Sequence, residues 1–392
     1  TLLSLLGVTI GIFAIISVFS VVDSLERNIR TSVESLGDNV VFVQKWPWSM
    51  GEDYPWWKYY QRPIPTLQEL ASLEQRLEVA EAVAFVVGAG NKTAKYRTND
   101  VDGIEVAAVS HGYQDVYGFD LSSGRYFSIL ESATGKPVAI IGDNIAKSLF
   151  EGENPLGKVI KFMGQKATVI GVFEKAGDSV IGSSDDDNIV LPVKFARNFI
   201  RLNSESTNPM FMVKAKQGIS NEQLKDDLTR VLRSVRRLAP KSDDNFALNE
   251  TSIISKGIDM MFGVIDLAGI IIGGFSLLVG GFGIANIMFV SVKERTNIIG
   301  IQKAIGAKNH FILLQFLFEA ILLCLIGGVL GISVVYAGTV IAGYYIEFDI
   351  ALSVSNVVTG LWVSVLIGII SGMIPAIAAS KLDPVEAIRS GI

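Results

Sequence analysis

Histidine and cysteine are almost missing from this chain: two histidines, His111 and His310, and one cysteine, Cys324, in 392 residues. A single thiol excludes an internal disulfide framework. Two distant histidines with no cysteine beside them exclude a zinc site and a histidine-based catalytic constellation. Charge is also sparse. Lys, Arg, Asp and Glu make up 19% of residues and the formal net charge is -5, so the strongly basic face of a nucleic-acid binder is absent. Gly152-Glu-Asn-Pro-Leu-Gly157-Lys158 approaches a phosphate-binding loop, but Val159 stands where a magnesium-holding hydroxyl belongs. A turn leading into a strand is the expectation there. The acidic run Asp185, Asp186, Asp187 lacks the alternate spacing and central glycine of a calcium loop, and reads as a solvated loop. No catalytic residue, cofactor site or metal site is expected, and the chain reads as non-enzymatic.

What the chain has in place of these is apolar length. Hydrophobic residues make up 49% and the mean hydropathy is +0.42, too high for an ordinary soluble protein. Four runs approach or exceed the roughly 20 residues that cross about 30 Å of hydrocarbon as a helix. They are predicted at 1–22, continuing as a helix to about 37, and at 262–292, 309–342 and 357–381. The first opens without a methionine or a basic flank, so a preceding cytoplasmic piece is expected to lie outside this numbering. It is long and has no A-x-A-like site, which disfavours a cleaved signal peptide. The second run would reach about 45 Å at 1.5 Å per residue and is expected to project beyond the bilayer.

Loop charge gives the orientation. The segment 293–308 carries Lys293, Glu294, Arg295, Lys303 and Lys308, whereas 343–356 carries only Glu347 and Asp349. The first is therefore predicted to be cytoplasmic, the chain ends with it (the tail being 382–392), and the region between runs one and two to lie outside the cytoplasm. That region, roughly 240 residues, suits one or two small domains. Its patterning is mixed: NVVFVQKW alternates like a strand, Thr66 to Glu69 forms a capping box, and EAVAFVVGAG reads as a second strand. PMFMVKAKQG, a box at Ser220 to Gln223 and NFALNE repeat the order. Two β-α-β halves over 38–110 and 203–261 predict a ferredoxin-like split fold. The intervening 111–202 is predicted to be a β-rich subdomain containing a hairpin that turns at Gly164-Gln165.

Three further features are candidates for contact. Trp46, Trp48, Trp56 and Trp57 crowd a proline-containing loop over 46–63, where exposed aromatics suit a partner or a substrate, and where a local aromatic mini-core or membrane-surface contact is the alternative. Small residues recur at four-residue spacing inside the runs, as at Gly7 and Gly11 or Gly269 and Gly273, with Gly280 one turn pair further on. Such spacing lets helix backbones approach, in one chain or in a dimer. Asp266 and Glu319 are the few ionisable residues in the runs, so no carboxylate chain supports a proton-driven transporter. In KERTNIIGIQKAIGA, residues 293–307, Ile298, Ile301 and Ile305 share one helical face beside Ala304, with Gln302 and Lys303 turned away and Gly306 as the stop. Such a helix can lie on the bilayer or insert its stripe into a partner's groove.

These residues resemble the MacB/FtsX-like permeases of type VII ABC transporters. The resemblance covers nearly the whole chain. It rests on NIMFVSVKERTNIIGIQKAIGAKNHFILLQFLFEAILL (286–323), GRYFS (124–128), LFEGENPLGKVIKFMGQKATVIGVFE (149–174) and IPAIAASKLDPVEAIRSG (374–391). It implies an α+β polytopic protein with four spans and a large extracytoplasmic domain of porter-like and sabre-like subdomains. It also implies a coupling helix that docks on a cytoplasmic ATPase, drawing on Glu294, Arg295, Ile298, Ile301, Ala304, Ile305 and Gly306. The sequence departs at Asn297-Ile298, where the family places Arg-Glu, and it has no Walker or signature motif, so the ATPase is expected in a partner chain. A dimer with a second permease copy or paralogue, in contact with membrane lipid, follows, and a periplasmic adaptor or outer-membrane channel is a further implied partner. The implied setting is the bacterial inner membrane, with the large domain in the periplasm. The implied function is mechanotransmission that extrudes a substrate from the periplasmic side. Lipoprotein release and control of a cell-wall hydrolase are alternatives on the same scaffold, and a membrane-anchored receptor is a third reading from a different class.

Overall fold

The computed structural model describes residues 2–34, 39–48, 54–177, 184–345 and 351–389. In chain order the elements begin with α1 (Leu2–Glu34), β1 (Val40–Gln44), α2 (Trp56–Tyr60), α3 (Leu67–Arg76), β2 (Ala80–Tyr96), β3 (Asn99–Val109) and α4 (Tyr113–Tyr117). Then come β4 (Leu121–Gly124), α5 (Ile129–Thr134), β5 (Val138–Ile141), α6 (Asp143–Phe150), β6 (Val159–Phe162), β7 (Gln165–Phe173), β8 (Asn188–Pro192) and α7 (Val193–Ala196). The chain continues through β9 (Met210–Ala215), α8 (Asn221–Val235), β10 (Ala247–Glu250), α9 (Thr251–Glu294), α10 (Thr296–Ala304), α11 (Asn309–Tyr345), α12 (Val354–Ser380) and α13 (Pro384–Arg389). Residues 1–27 with 259–392 form one unit, and 28–258 form the other.

The polar unit is built on a sheet of order β10-β1-β9-β2-β3-β8-β5-β7-β4, with β6 pairing β2 and β7. Its first four strands are antiparallel neighbours: Val41 pairs with both Glu250 and Val213, and Val83 pairs with Val213 from the other side. With α3 joining β1 to β2 and α8 joining β9 to β10, this is the split β-α-β arrangement. Period-two alternation sorts the side chains. Val41, Val43, Phe85 and Val87 enter one core with Leu73 of α3 and Leu224 and Leu228 of α8. Val40, Phe42, Ala84 and Val86 enter a second core, under Tyr113 and Val116 of α4. Both capping boxes form, at Thr66 with Glu69 and at Ser220 with Gln223. Glu69 does more than cap, since its Oε1 also accepts from Arg236 Nε at 2.7 Å, tying α3 to the end of α8.

β2 is 17 residues long and passes from this half into the next. Its first part pairs with β9, and Ala94 and Lys95 pair with β6, after register shifts near Lys92. Beyond it, β3 runs parallel to β8, and β5 parallel to β7. Gly157 and Lys158 lead into β6, which begins at Val159. The hairpin from β6 to β7 turns at Met163-Gly164, both with positive φ (47° and 77°), one residue before the predicted centre. This is the I′ geometry that matches strand twist.

The acidic run differs from a solvated loop. Asp186 is 1% exposed and accepts backbone N–H bonds from Ala176 and Gly177, each at 2.9 Å. Asp187 accepts from Asn144 Nδ2 at 3.2 Å. A carboxylate as buried as Asp186 needs hydrogen-bond partners, and the Ala176 and Gly177 N–H groups supply them.

In the apolar unit, four helices are long and apolar enough to cross a membrane. Glycines set their closest approaches. A Cβ built on Gly328 would lie 2.3 Å from Ser364 Oγ, and one on Gly368 would lie 2.7 Å from Ile321 Cα. Ile12, Ile16, Met288, Phe316, Ala320 and Cys324 are buried among them. Polar ties sit near one end, where Asn356 Nδ2 donates to Asp23 Oδ2 at 2.7 Å. α9 begins at Thr251, earlier than hydropathy predicted.

Candidate functional site

The stretch 293–307 folds as two elements. α9 ends at Glu294, a single residue, Arg295, makes the corner, and α10 follows. Thr296 Oγ1 donates to the carbonyls of Val292 and Lys293 at 3.0 and 2.9 Å, meeting two of the acceptors that the end of α9 leaves open. Arg295 Nη1 reaches Glu319 of α11 at 3.2 Å. Arg295 as a coupling position and Glu319 as an acid within a span were both legible in the sequence, but their pairing was not. At the far end Gly306, at φ 105°, closes α10. Its N–H donates to the Lys303 carbonyl and that of Ala307 to the Gln302 carbonyl, both at 3.0 Å, the paired bonds of a Schellman stop.

The two faces of α10 have different fates. Ile299 is 1% exposed and joins the helical core. Gly300 faces α13, where a built Cβ would lie 2.9 Å from Ala387 Cβ; glycine is what lets the tail helix sit this close. The opposite face is uncovered: Ile298 is 56% exposed, Ile301 47% and Ile305 83%. Ala304 and Glu294 are exposed as well. Val385 and Ile388 of α13 are exposed apolar side chains on the helix packed against α10, and sequence reasoning missed both. The signal was present in the quoted tail, as an apolar pair three residues apart.

Lys303 departs from expectation. A lysine turned off the apolar stripe is expected to face solvent. Its Nζ instead donates to the carbonyls of Ser380 and Leu382, each at 2.7 Å. The last carbonyls of α12 have no helical partner, and a lysine ammonium with three donors suits them.

The glycine candidates meet within one chain. A Cβ built on Gly7 would lie 3.8 Å from Gly280 Cα, and one on Gly11 would lie 3.4 Å from the Ser276 carbonyl. Built on Gly269 or Gly273 it would meet Val18 or Ile15, the latter at 2.4 Å. These five positions line the seam between α1 and α9. The face of α9 carrying Ile272, Phe275, Val279 and Phe282 stays exposed.

The tryptophan loop divides, with 49–53 outside the described residues. Trp48 packs on Phe42 with ring centroids 5.0 Å apart, and its backbone N–H donates to Asn249 Oδ1 at 2.9 Å. The Trp46 carbonyl accepts from Asn249 Nδ2, and Lys45 sits over the Trp46 and Tyr60 rings. Those two tryptophans are held in place by the fold. Trp56 and Trp57 are 58% and 64% exposed on α2, which buries nothing.

The GRYFS stretch is a structural corner. Gly124, at φ 86°, passes so close to β7 that a built Cβ would lie 2.2 Å from the Ile170 carbonyl. Arg125 clasps the buried Glu131 through Nη1 at 2.7 Å and Nη2 at 2.9 Å, and Lys136 adds a third contact at 3.2 Å. The Arg125 guanidinium, with the Ser128 N–H and Lys136, holds the Glu131 carboxyl far below the usual carboxylate range. No group of three or more His, Cys, Asp or Glu able to hold a metal ion occurs among the described residues.

Two family descriptions match the chain: "MacB-like periplasmic core domain" over residues 1–231 and "FtsX-like permease C-terminal" over 270–384. The ABC transporter permease YknZ of Bacillus subtilis is 30% identical over 407 residues, covering 99% of this chain and 94% of YknZ. The macrolide export ATP-binding/permease protein MacB of Neisseria meningitidis serogroup A is 31% identical over 389 residues, covering 99% of this chain. The chain spans 58% of that relative's length. Among solved structures, the periplasmic region of MacB from Actinobacillus actinomycetemcomitans matches with a TM-score of 0.46 at 18% identity. That match covers 58% of this chain and 95% of the other.

Proposed function

Because the chain belongs to the family of MacB-like and FtsX-like ABC transporter permeases, we propose that it couples ATP hydrolysis by a cytoplasmic partner to movement of its extracytoplasmic domain. Mechanotransmission is the mode of action. The partner pulls or releases α10, α9 carries the displacement, and the outer domain squeezes or frees a substrate already outside the cytoplasm, with the permease seated in the bacterial inner membrane. A two-fold dimer with a second copy or a paralogue is the working unit. Since the glycine seam is occupied by α1 and α9 of one chain, the second copy meets other faces, such as the exposed stripe of α9.

The observation that carries this reading is the uncovered stripe of Ile298, Ile301 and Ile305 on a helix whose other face is fixed by Gly300 and Lys303. A held helix with a free apolar face suits a groove on a partner. Replacing Ile301 or Ile305 with Asp would place an unpaired carboxylate in that groove, costing several kcal/mol, and each 1.4 kcal/mol is tenfold in affinity. Capture of the ATP-binding partner by the full chain should therefore fall by at least a hundredfold in Ile301→Asp and Ile305→Asp. A helix resting on lipid predicts the opposite, unchanged capture with weaker lipid contact, and that outcome would sink the proposal.

A further inference from the structure

The tail helix α13 sits on the flank of the stripe of α10, and small side chains bring it there. A Cβ built on Gly300 would lie 2.9 Å from Ala387 Cβ and 3.0 Å from Ile388 Cγ1. Ala387 itself is buried. At 3.6 residues per turn, Ala304 lies about 40° around α10 from Gly300 and about 60° from Ile301. On that side only Asn297 and Ala304, both exposed, stand between α13 and the stripe.

The position of α13 is fixed by more than this contact. Asp383 Oδ1 accepts from the Val385 N–H at 2.8 Å and the Glu386 N–H at 3.3 Å, capping the helix. Just before it, the Ser380 and Leu382 carbonyls are held by Lys303. The side left open carries Val385, 74% exposed, and Ile388, 37% exposed, three residues apart and so on neighbouring positions of one face. Lipid is a poor cover for it. Helices that lie on a bilayer carry a basic polar face, whereas α13 has Glu386 against Arg389 and an acid, Asp383, at its cap.

We propose that α13 is the second half of the docking surface, with Val385 and Ile388 entering the same ATP-hydrolysing partner that receives Ile298, Ile301 and Ile305. This rests on the reading of α10 as the coupling helix. The two helices form one platform because Gly300 and Lys303 lock them together. A partner that grips both holds the end of α12 as well as the corner after α9, so its pull enters two spans.

The test uses the full chain in lipid nanodiscs, and the probe is the ATP-hydrolysing subunit that co-purifies with the wild-type chain. Val385→Asp places an unpaired carboxylate in the contact and should weaken binding of that subunit by at least tenfold, whereas Val385→Leu should change it by less than twofold. Amide exchange over 382–389 should match wild type in Val385→Asp, since so exposed a side chain takes no part in the packing on α10. Val385→p-benzoylphenylalanine should, on irradiation, join covalently to the subunit. Undiminished binding in Val385→Asp, with loss in Ile301→Asp, would overturn the inference and leave α10 as the coupling helix. Undiminished binding in Ile301→Asp would remove the coupling reading and this inference with it. A label at 385 that joins lipid and never the subunit would place α13 on the membrane and overturn the inference. If exchange rises in Val385→Asp, the photochemical adduct decides.

Discussion

At the scale of single residues, Lys303 and Glu131 are charged side chains that each hold several partners. Lys303→Met keeps the aliphatic stem and removes two hydrogen bonds to the Ser380 and Leu382 carbonyls. Hydrogen bonds to charged groups contribute about 1.5–3 kcal/mol when well desolvated, and less at this partly exposed site. Amide exchange across 382–389 should speed up by about tenfold, while exchange in the core of α12 stays unchanged; equal protection in the variant would refute the clasp. For Glu131→Gln the expected loss is about 2 kcal/mol at neutral pH. Its folded pKa lies below its unfolded value of about 4.5, so the stabilisation is complete above pH 4.5 and is lost as pH falls toward the folded pKa. The gap in melting temperature between wild type and variant should hold from pH 8 to pH 6 and narrow below pH 4.5. A gap independent of pH would mean that packing, not charge, carries the effect. Neither role was legible in the sequence: GRYFS showed as a pattern, but its reason lies in an acid six residues on, and a lysine pointing off an apolar stripe looks the same whether water or a carbonyl receives it.

At the scale of elements, spacing was more informative than partner choice. The glycines of α1 and α9 recur every four residues, which announces close helix contact without saying with what. The structure gives a specific intrachain pair, and Gly7→Cys with Gly280→Cys in a Cys324→Ala background should oxidise to a disulfide within one polypeptide, since the backbones approach within bridging range. A product of twice the mass on a non-reducing gel, with none internally linked, would show the seam to be misassigned. Capping boxes at Thr66 and Ser220 were readable because their signal is local. The start of α9 was not. Residues 251–261 carry Ser252, Ser255, Lys256 and Asp259, so a hydropathy scan stops where the helix continues.

At the scale of the whole molecule, the proposed transmission depends on the length of α9. Its 44 residues extend about 66 Å, about twice the 30 Å of a hydrocarbon core. Lys256→Pro, at an exposed position in its polar first turns, should break the rod at a cost of about 3 kcal/mol or more. Partner capture should be unchanged, and the ATP-dependent change in protease sensitivity of the outer domain should disappear. If that change survives, α9 is not the transmitting element. The four spans and the mixed outer domain could be read in advance because composition and period report them. The cleft lined by Leu67 to Val83 on one side and Ser110 to Lys194 on the other could not, because only the finished sheet brings those segments together.

The place of β1 in that sheet has a consequence for synthesis. β1 lies between β9 and β10, so Val40–Gln44 leaves the ribosome with neither neighbour yet made. Residues 210–215 and 247–250 must follow, and at 5–20 residues per second the first arrives after about 10–35 s. Through that interval β1 is an apolar strand with both edges open, the kind of segment that pairs with whatever strand it meets. A ribosome that stalled before residue 250 would leave a chain anchored by α1 and unable to close its domain. Such fragments are natural targets for chaperones and membrane-bound proteases. The last strand of the domain is followed at once by α9, so the sheet is completed just as the next apolar helix emerges for insertion.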